Sequence, residues 1–308
     1  MNAPIGIVHA AYYLPEPVDD VRSWSRRTMQ SAGTLDRLEH AGVRAFYDAR
    51  GRTALSMATT AIRSLIRTTR FTPDTVDCLV YVHTLQGSIA PPPLSLPHLL
   101  CERFGFEKAE AFSFAQQHCA SSLGALRIIR AMFIARPTIN RVLLVGADVM
   151  PIATDRSIDG AGFLSDGACA MLIERDAPIN RLLSVAFHAS GEGWRGTLGD
   201  EESRFGAQYF FAIRRLVMQM CNAANVPLTE IQRIFPSHLD LPTWRRIVTS
   251  LGLPPRCLFT DNFARIAHVT VSDPFINLAD CNNLVPGKPF LLCARGVGGF
   301  SAGALLMR

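Results

Sequence analysis

The 308-residue sequence predicts an α/β fold built from two copies of one unit, and three observations carry that reading. Amphipathic helical segments alternate with short apolar runs rich in β-branched residues, the pattern of helices covering a buried sheet. The same order of segments returns in the second half of the chain. The spacing returns with it: Cys119 precedes Val142 by 23 residues, and His268 precedes Phe290 by 22. A duplicated unit of this kind predicts two sheets packed through shared central helices, with halves at 1–178 and 179–308.

The first informative segment is Thr53 to Arg70, where Leu55, Ala58, Ile62, Leu65 and Ile66 recur at helical spacing. The turn signal Thr72-Pro73-Asp74 follows, and the apolar run from Val76 to Val82 then reads as a buried strand. Gly87 and Pro91-Pro92-Pro93 break the chain before a helix from Leu94 to Phe104. The apolar patch AFSFA leads into QQHCASSLGALRIIRAM, which starts a second helix near Cys119, and RVLLVGADVM is a strand. In the second half FFAIRRLVMQMCNAANV is a helix, IQRIFPSHL a short strand ending near His238, and a helix starts near His268. The last segment, PFLLCARGVGGFSAGALLMR, reads as strand, glycine turn, strand. Gly191 to Arg204, rich in glycine and charge, reads as a flap or dimer loop.

Composition narrows the function classes. At 48% apolar residues the chain builds one sizeable core or two joined halves. Eight cysteines contain no CxxC pair and no Cys/His cluster at metal-ligand spacing, so neither a disulfide framework nor a metal site is expected. No signal segment or membrane span is evident, which places the expectation in a reducing cytoplasm. A net charge of +5, spread along the chain, does not call for nucleic acid.

The chemistry concentrates on three side chains. A thiol at the start of a helix meets unpaired N–H groups and the positive end of the macrodipole, which favour thiolate and make Cys119 a candidate nucleophile. The duplicated order puts Cys119 and His268 at equivalent helix starts near the pseudo-twofold axis, with His238 just beyond a strand end, where ligand sites gather. Neutral imidazoles there would polarise a thioester carbonyl or deprotonate an incoming nucleophile. Asp273, five residues after His268, is a candidate to orient it, or simply an aspartate before Pro274. An N–H of Gly298 or Gly299 in the turn GVGGF is placed to join that of Cys119 in an oxyanion hole. The other histidines and cysteines read as structural.

Taken together these residues resemble the ketoacyl synthase III (3-oxoacyl-acyl-carrier-protein synthase III) branch of the thiolase superfamily, over nearly the whole chain and in order. AGVRAFY at 41–47 resembles the family's Thr-Gly-Ile-Arg segment, QQHCASSLGAL its nucleophile helix, and GFLSDGACAMLIER its Gly-Asp-Gly-Ala hairpin. FPSHLD resembles its Pro-His-Gln-Ala-Asn stretch, and ARGVGGFSAGALL its C-terminal glycine turn. The resemblance implies the thiolase fold, a duplicated five-layer α/β/α/β/α sandwich. It also implies Cys119 as nucleophile, His238 as first base, and a homodimer. The acyl group would arrive on the phosphopantetheine of acyl carrier protein or of coenzyme A, with no resident cofactor. It would then be condensed with a malonyl thioester, with loss of carbon dioxide, in fatty acid or polyketide-type secondary biosynthesis.

Three departures from the family's pattern shape the expectation. Ala267-His268-Val269 stands where the family has Gly-Asn-Thr, which makes a Cys-His-His set. That set is similar to the one in elongating ketoacyl synthases, and it also suits acyl transfer to an oxygen or nitrogen acceptor. Asp36 and His40 stand where the family places a Trp and an Arg around the adenine of coenzyme A, which shifts weight to carrier-protein delivery. After His238 the family's amide residues are lost, and Arg245 and Arg246 follow as candidates for phosphopantetheine phosphate or an acidic carrier protein. A reading of another class is a non-catalytic subunit paired with a sister ketosynthase. Retention of Cys119, His238 and His268 argues against that.

Overall fold

The computed structural model describes residues 4–151, 156–158, 162–191 and 202–308, the side chains of 202–207 excepted. The predicted 191–204 flap lies largely outside them. The first half runs β1 (Ile5–Tyr13), β2 (Val18–Asp20), α1 (Val21–Arg27), α2 (Ala32–His40), β3 (Ala45–Tyr47), α3 (Ala54–Thr69), β4 (Cys78–Val82), α4 (Leu96–Phe104), β5 (Glu110–Phe114), α5 (Ser121–Ala135), β6 (Arg141–Asp148), β7 (Ser157–Ile158), β8 (Gly162–Phe163) and β9 (Gly167–Arg175). The second runs β10 (Arg181–His188), α6 (Glu202–Ala223), β11 (Arg233–Pro236), α7 (Leu241–Ser250), α8 (Asp261–Ile266), α9 (Asp273–Asp280), β12 (Pro289–Gly296) and β13 (Phe300–Met307).

Local chemistry explains where several elements begin and end. The Thr53 side chain accepts from the Ser56 N–H to start α3, and Asp240 caps α7 through the Thr243 N–H. Proline stands in the first turn of α4, α7 and α9, where its missing N–H costs no hydrogen bond. Gly105, at φ +68°, closes α4 in the left-handed conformation that helix ends favour.

The strands run in the order β11-β12-β13-β10-β1-β9-β6-β4-β5. In the first half β4 is parallel to both β5 and β6, and β9 is antiparallel to β6 and β1. In the second, β11 is parallel to β12, and β12, β13 and β10 follow antiparallel. The two halves of this order join where β1 meets β10 antiparallel, in register at Gly6–Arg181. Leu258 forms an isolated parallel bridge to Ile234 of β11, standing where β5 pairs with β4 in the first half.

Alternation along each strand sorts side chains into layers. In β4, Cys78, Val80 and Val82 face an inner core with α5 and α9, whereas Leu79 and Tyr81 face α3 and α4. In β12, Phe290, Leu292 and Ala294 face the same inner core, whereas Leu291 and Cys293 face α6 and α7. The result is five layers, helices outside, two sheets, and α5 with α9 between them. Leu123, Leu126 and Ile129 of α5 and Phe275 of α9 are buried in that middle layer. It aims the starts of both central helices at one another.

Candidate active site

Cys119 lies in a 3₁₀ turn, His118–Ala120, one step before α5, rather than inside the helix itself. The turn is held in an unusual conformation. Gln116 (φ +69°) and His118 (φ +50°) both adopt left-handed backbone, and the Ser121 hydroxyl accepts from the Gln117 N–H. Non-glycine residues in this region cost of order 1–3 kcal/mol each and persist where the surroundings over-determine them. The small residues after Cys119 let the start of α5, Ser121 to Leu126, lie buried, and Cys119 itself is 4% exposed.

His268 stands in the matching place of the second half, and its backbone is pinned on both sides. Its N–H donates to the Phe163 carbonyl at 2.9 Å, and its own carbonyl accepts from the Ser165 N–H at 2.9 Å. Ala267 just before it (φ +52°, ψ −152°) and Thr270 two residues after it (φ +47°) also hold positive φ. Ala267 stands where the sequence resemblance expects glycine, and it holds a conformation that is normally glycine's alone. Two strand glycines let this loop close on the sheet. A Cβ on Gly167 would stand 2.7 Å from Val269, and one on Gly146 would stand 2.9 Å from Val271.

The reactive groups then form one chain. His268 Nε2 is 3.1 Å from Cys119 Sγ, and its Nδ1 donates to Asp273 Oδ2 at 2.5 Å. Asp273 also accepts the Val269 and His238 backbone N–H groups, each at 2.7 Å. His268 and Asp273 are fully buried. Burial opposes charge on His268, but the Asp273 carboxylate and the negative charge of Cys119 outweigh it and raise the imidazole to about 10. Burial likewise opposes charge on Asp273, yet His238 and His268 hold its carboxyl well below the usual range. By contrast, burial pushes the Cys78 and Cys169 thiols up to about 12 and those of Cys101 and Cys221 to about 11. Those four are poor nucleophiles.

His238 stands just past β11 as its sequence position predicts, but its ring turns away from the sulfur. Nδ1 lies 2.7 Å from the Ala267 carbonyl and 3.2 Å from Asp273 Oδ1, and Nε2 lies 2.8 Å from Asn277 Oδ1. It reaches Cys119 only through Asp273 and His268. The glycine turn after β12 carries positive φ at Gly298 (+77°) and Gly299 (+82°). Gly296 at its base packs against Gln117 and His118, with 2.3 Å between a built Cβ and the Gln117 carbonyl, so the turn borders the nucleophile. Arg245 and Arg246 are exposed on α7, Arg246 lying over the Phe210 ring at 5.6 Å.

Two parts of the site were missed in the sequence. Asn277 follows Asp273 by four residues on α9, a helical spacing that puts both on one face. Asp148, fully buried at the end of β6, accepts from the Thr84 and Leu85 N–H groups and the Ser88 and Thr270 hydroxyls. It ties the loop after β4 to the loop that carries His268. Its partners are far apart in sequence, so no local pattern announces it. Among the described residues no group of three or more His, Cys, Asp or Glu is placed to hold a metal, and no helix is long and apolar enough to cross a membrane.

Comparison with known proteins agrees with this architecture. Residues 115–191 match the family model of 3-oxoacyl-[acyl-carrier-protein] synthase III. A β-ketoacyl-[acyl-carrier-protein] synthase III of Bacteroides thetaiotaomicron is 29% identical over 140 residues, 44% of this chain and 40% of the relative. The chain therefore matches less than half the length of that curated relative. Among solved structures, the acyltransferase ChlB3 superposes with a TM-score of 0.86 at 21% identity, covering 99% of this chain and 97% of its own. The 3-oxoacyl-[acyl-carrier-protein] synthase III of Aquifex aeolicus gives 0.86 at 19% identity, covering 99% and 100%. The chain thus shares the fold of the 3-oxoacyl-[acyl-carrier-protein] synthase III structures and carries, around Cys119, a segment that matches that family's model.

Proposed function

We propose that the protein is an acyltransferase that carries its acyl group as a thioester on Cys119 and passes it to an oxygen or nitrogen acceptor. The observation that carries this reading is the unbroken chain Asp273–His268–Cys119, with contacts of 2.5 and 3.1 Å. In the first step the Cys119 thiolate attacks the carbonyl of a thioester donor, on carrier-protein phosphopantetheine or coenzyme A. His268 returns a proton to the departing thiol. Acylation removes the negative charge on sulfur, one of the influences that raise His268, so the imidazole is a readier base in the acyl-enzyme. His268 then takes the proton of an acceptor hydroxyl or amine, whose attack expels Cys119 as thiolate. The N–H groups of Cys119 and of Gly298 or Gly299 stabilise the oxyanion in both steps. ChlB3, named an acyltransferase, has the same fold, which supports the reading.

Decarboxylative condensation with a malonyl thioester is the second reading, favoured by the synthase III segment at 115–191. It asks for two donors on the malonyl carbonyl, and the ring nitrogens of His238 are held by Ala267 and Asn277 instead. Intact-protein mass spectrometry on wild type and Cys119→Ala, with a panel of acyl donors, is expected to show an acyl adduct in wild type alone. Chasing that adduct with alcohols, amines and malonyl thioester is expected to give ester or amide. Carbon dioxide release with a 3-oxo product would instead establish condensation. The acceptor side also bears on biology: ester or amide formation points to tailoring of a secondary metabolite, with a homodimer and acyl carrier protein as the partners the family suggests.

A further inference from the structure

The hydrogen-bond roles around His238 are dictated from outside the site. A guanidinium only donates, so Arg265, with Nε at 3.0 Å and Nη2 at 2.7 Å, makes the atom it faces on Asn262 the carbonyl oxygen. The Asn262 amide nitrogen is thereby turned inward, where it donates to Asn277 Oδ1 at 2.9 Å and to Asp280 Oδ2 at 3.0 Å. The Asn277 amide nitrogen donates in turn to the Pro236 carbonyl at 2.9 Å. Flipping Asn277 would set donor against donor at Asn262 and acceptor against acceptor at Pro236. Its Oδ1 is therefore an acceptor, and His238 Nε2, 2.8 Å away, must donate to it. The other ring nitrogen faces the Ala267 carbonyl at 2.7 Å, which also only accepts.

We infer that His238 is a positioning residue, donating through both ring nitrogens to hold the Ala267–His268 loop and Asp273 in place, and takes no proton from substrate. The carboxylate of Asp273, 3.2 Å from Nδ1, balances a ring that carries both protons. Other charged groups near it among the described residues include His268, on the far side of Asp273, and the Arg265–Asp280 pair beyond Asn262. His238 is 1% exposed and Asn262 and Asn277 are equally buried, so water does not substitute for these partners. The donor to Ala267 matters because that residue holds its carbonyl in left-handed backbone next to the base. The assignment rests on the Cys119–His268–Asp273 chain as the working set, but the measurement that decides it does not.

The test is nuclear magnetic resonance of the full chain with ring-¹⁵N histidine at neutral pH. His238 signals are identified by their loss in His238→Gln, or by their displacement in Phe263→Leu, whose ring lies 5.1 Å away, if the first variant fails to fold. Two slowly exchanging ring N–H protons on His238 are expected. A ring with one proton, and a free nitrogen, overturns the assignment. The kinetic arm measures single-turnover acylation of Cys119. His238→Gln is expected to slow it about 10²-fold through misplacement of His268, with the shape of the pH profile unchanged. Loss of one limb of that profile marks His238 as a proton-transfer group and also overturns the assignment. An enzyme that forms no acyl-Cys119 at all undermines the proposed activity, whereas the ring spectrum still decides His238.

Discussion

At the scale of single residues, the site is an ion pair kept dry. Asp273 is held below the roughly 3.9 of an unfolded aspartate, so its contribution to stability is present above that pH and is lost as pH falls through its folded value. His268 is raised above the roughly 6.5 of an unfolded histidine, so its contribution is complete below that pH and is lost as pH rises through about 10. Urea unfolding of wild type between neutral pH and pH about 10 is therefore expected to show a falling midpoint. His268→Gln should flatten that slope, and equal slopes in the two proteins would contradict the pairing. Asp273→Asn keeps the shape but loses the charge that orients and protonates His268. Its acyl-transfer kcat is expected to drop by about 10²–10⁴-fold, as measured in steady state with an alcohol or amine that discharges the acyl adduct.

At the scale of elements, two loops are strained so that two central helices present their reactive residues face to face. Ala267 is the sharpest case, because φ +52° with ψ −152° belongs to glycine. Ala267→Gly is expected to raise stability by about 1 kcal/mol in chemical denaturation, relief of strain exceeding the extra entropy of an unfolded glycine. The opposite change tests the close approach of sheet and loop. Gly167→Ala drives a methyl to within 2.7 Å of Val269, so acylation of Cys119 should slow while the sheet, read by circular dichroism, stays intact.

At the scale of the whole molecule, the middle layer is shared property. Leu123 and Leu126 from α5 and Phe275 from α9 pack against strands of both sheets in one core. Phe275→Ala is expected to cost about 3–5 kcal/mol. Because both halves use that layer, unfolding should remain a single transition followed by any probe, and separate transitions for the halves would contradict it.

Much of this was legible in the chain. The helix expected over 53–70 is α3 at Ala54–Thr69, and the strand of RVLLVGAD is β6. Period and apolar runs reveal such elements because each buries a continuous face. β1 and β10 were not anticipated, since Ile5–Tyr13 and Arg181–His188 mix buried and half-buried residues without clean alternation. The helix start expected at Cys119 is a 3₁₀ turn that precedes α5, and His268 lies in an isolated bridge to Leu164, two residues before the 3₁₀ turn that leads into α9, distinctions of backbone angles that composition does not encode.

The sequence by itself determined the duplicated α/β plan, the nucleophile candidate and the two histidines, because periodicity, spacing and residue chemistry are local properties. Only the tertiary structure decided which histidine meets the sulfur. That choice depends on where Asp273, Asn277 and Asn262 point their few donors and acceptors once water is gone, and those atoms meet only when α8, α9 and the end of β11 close on one another.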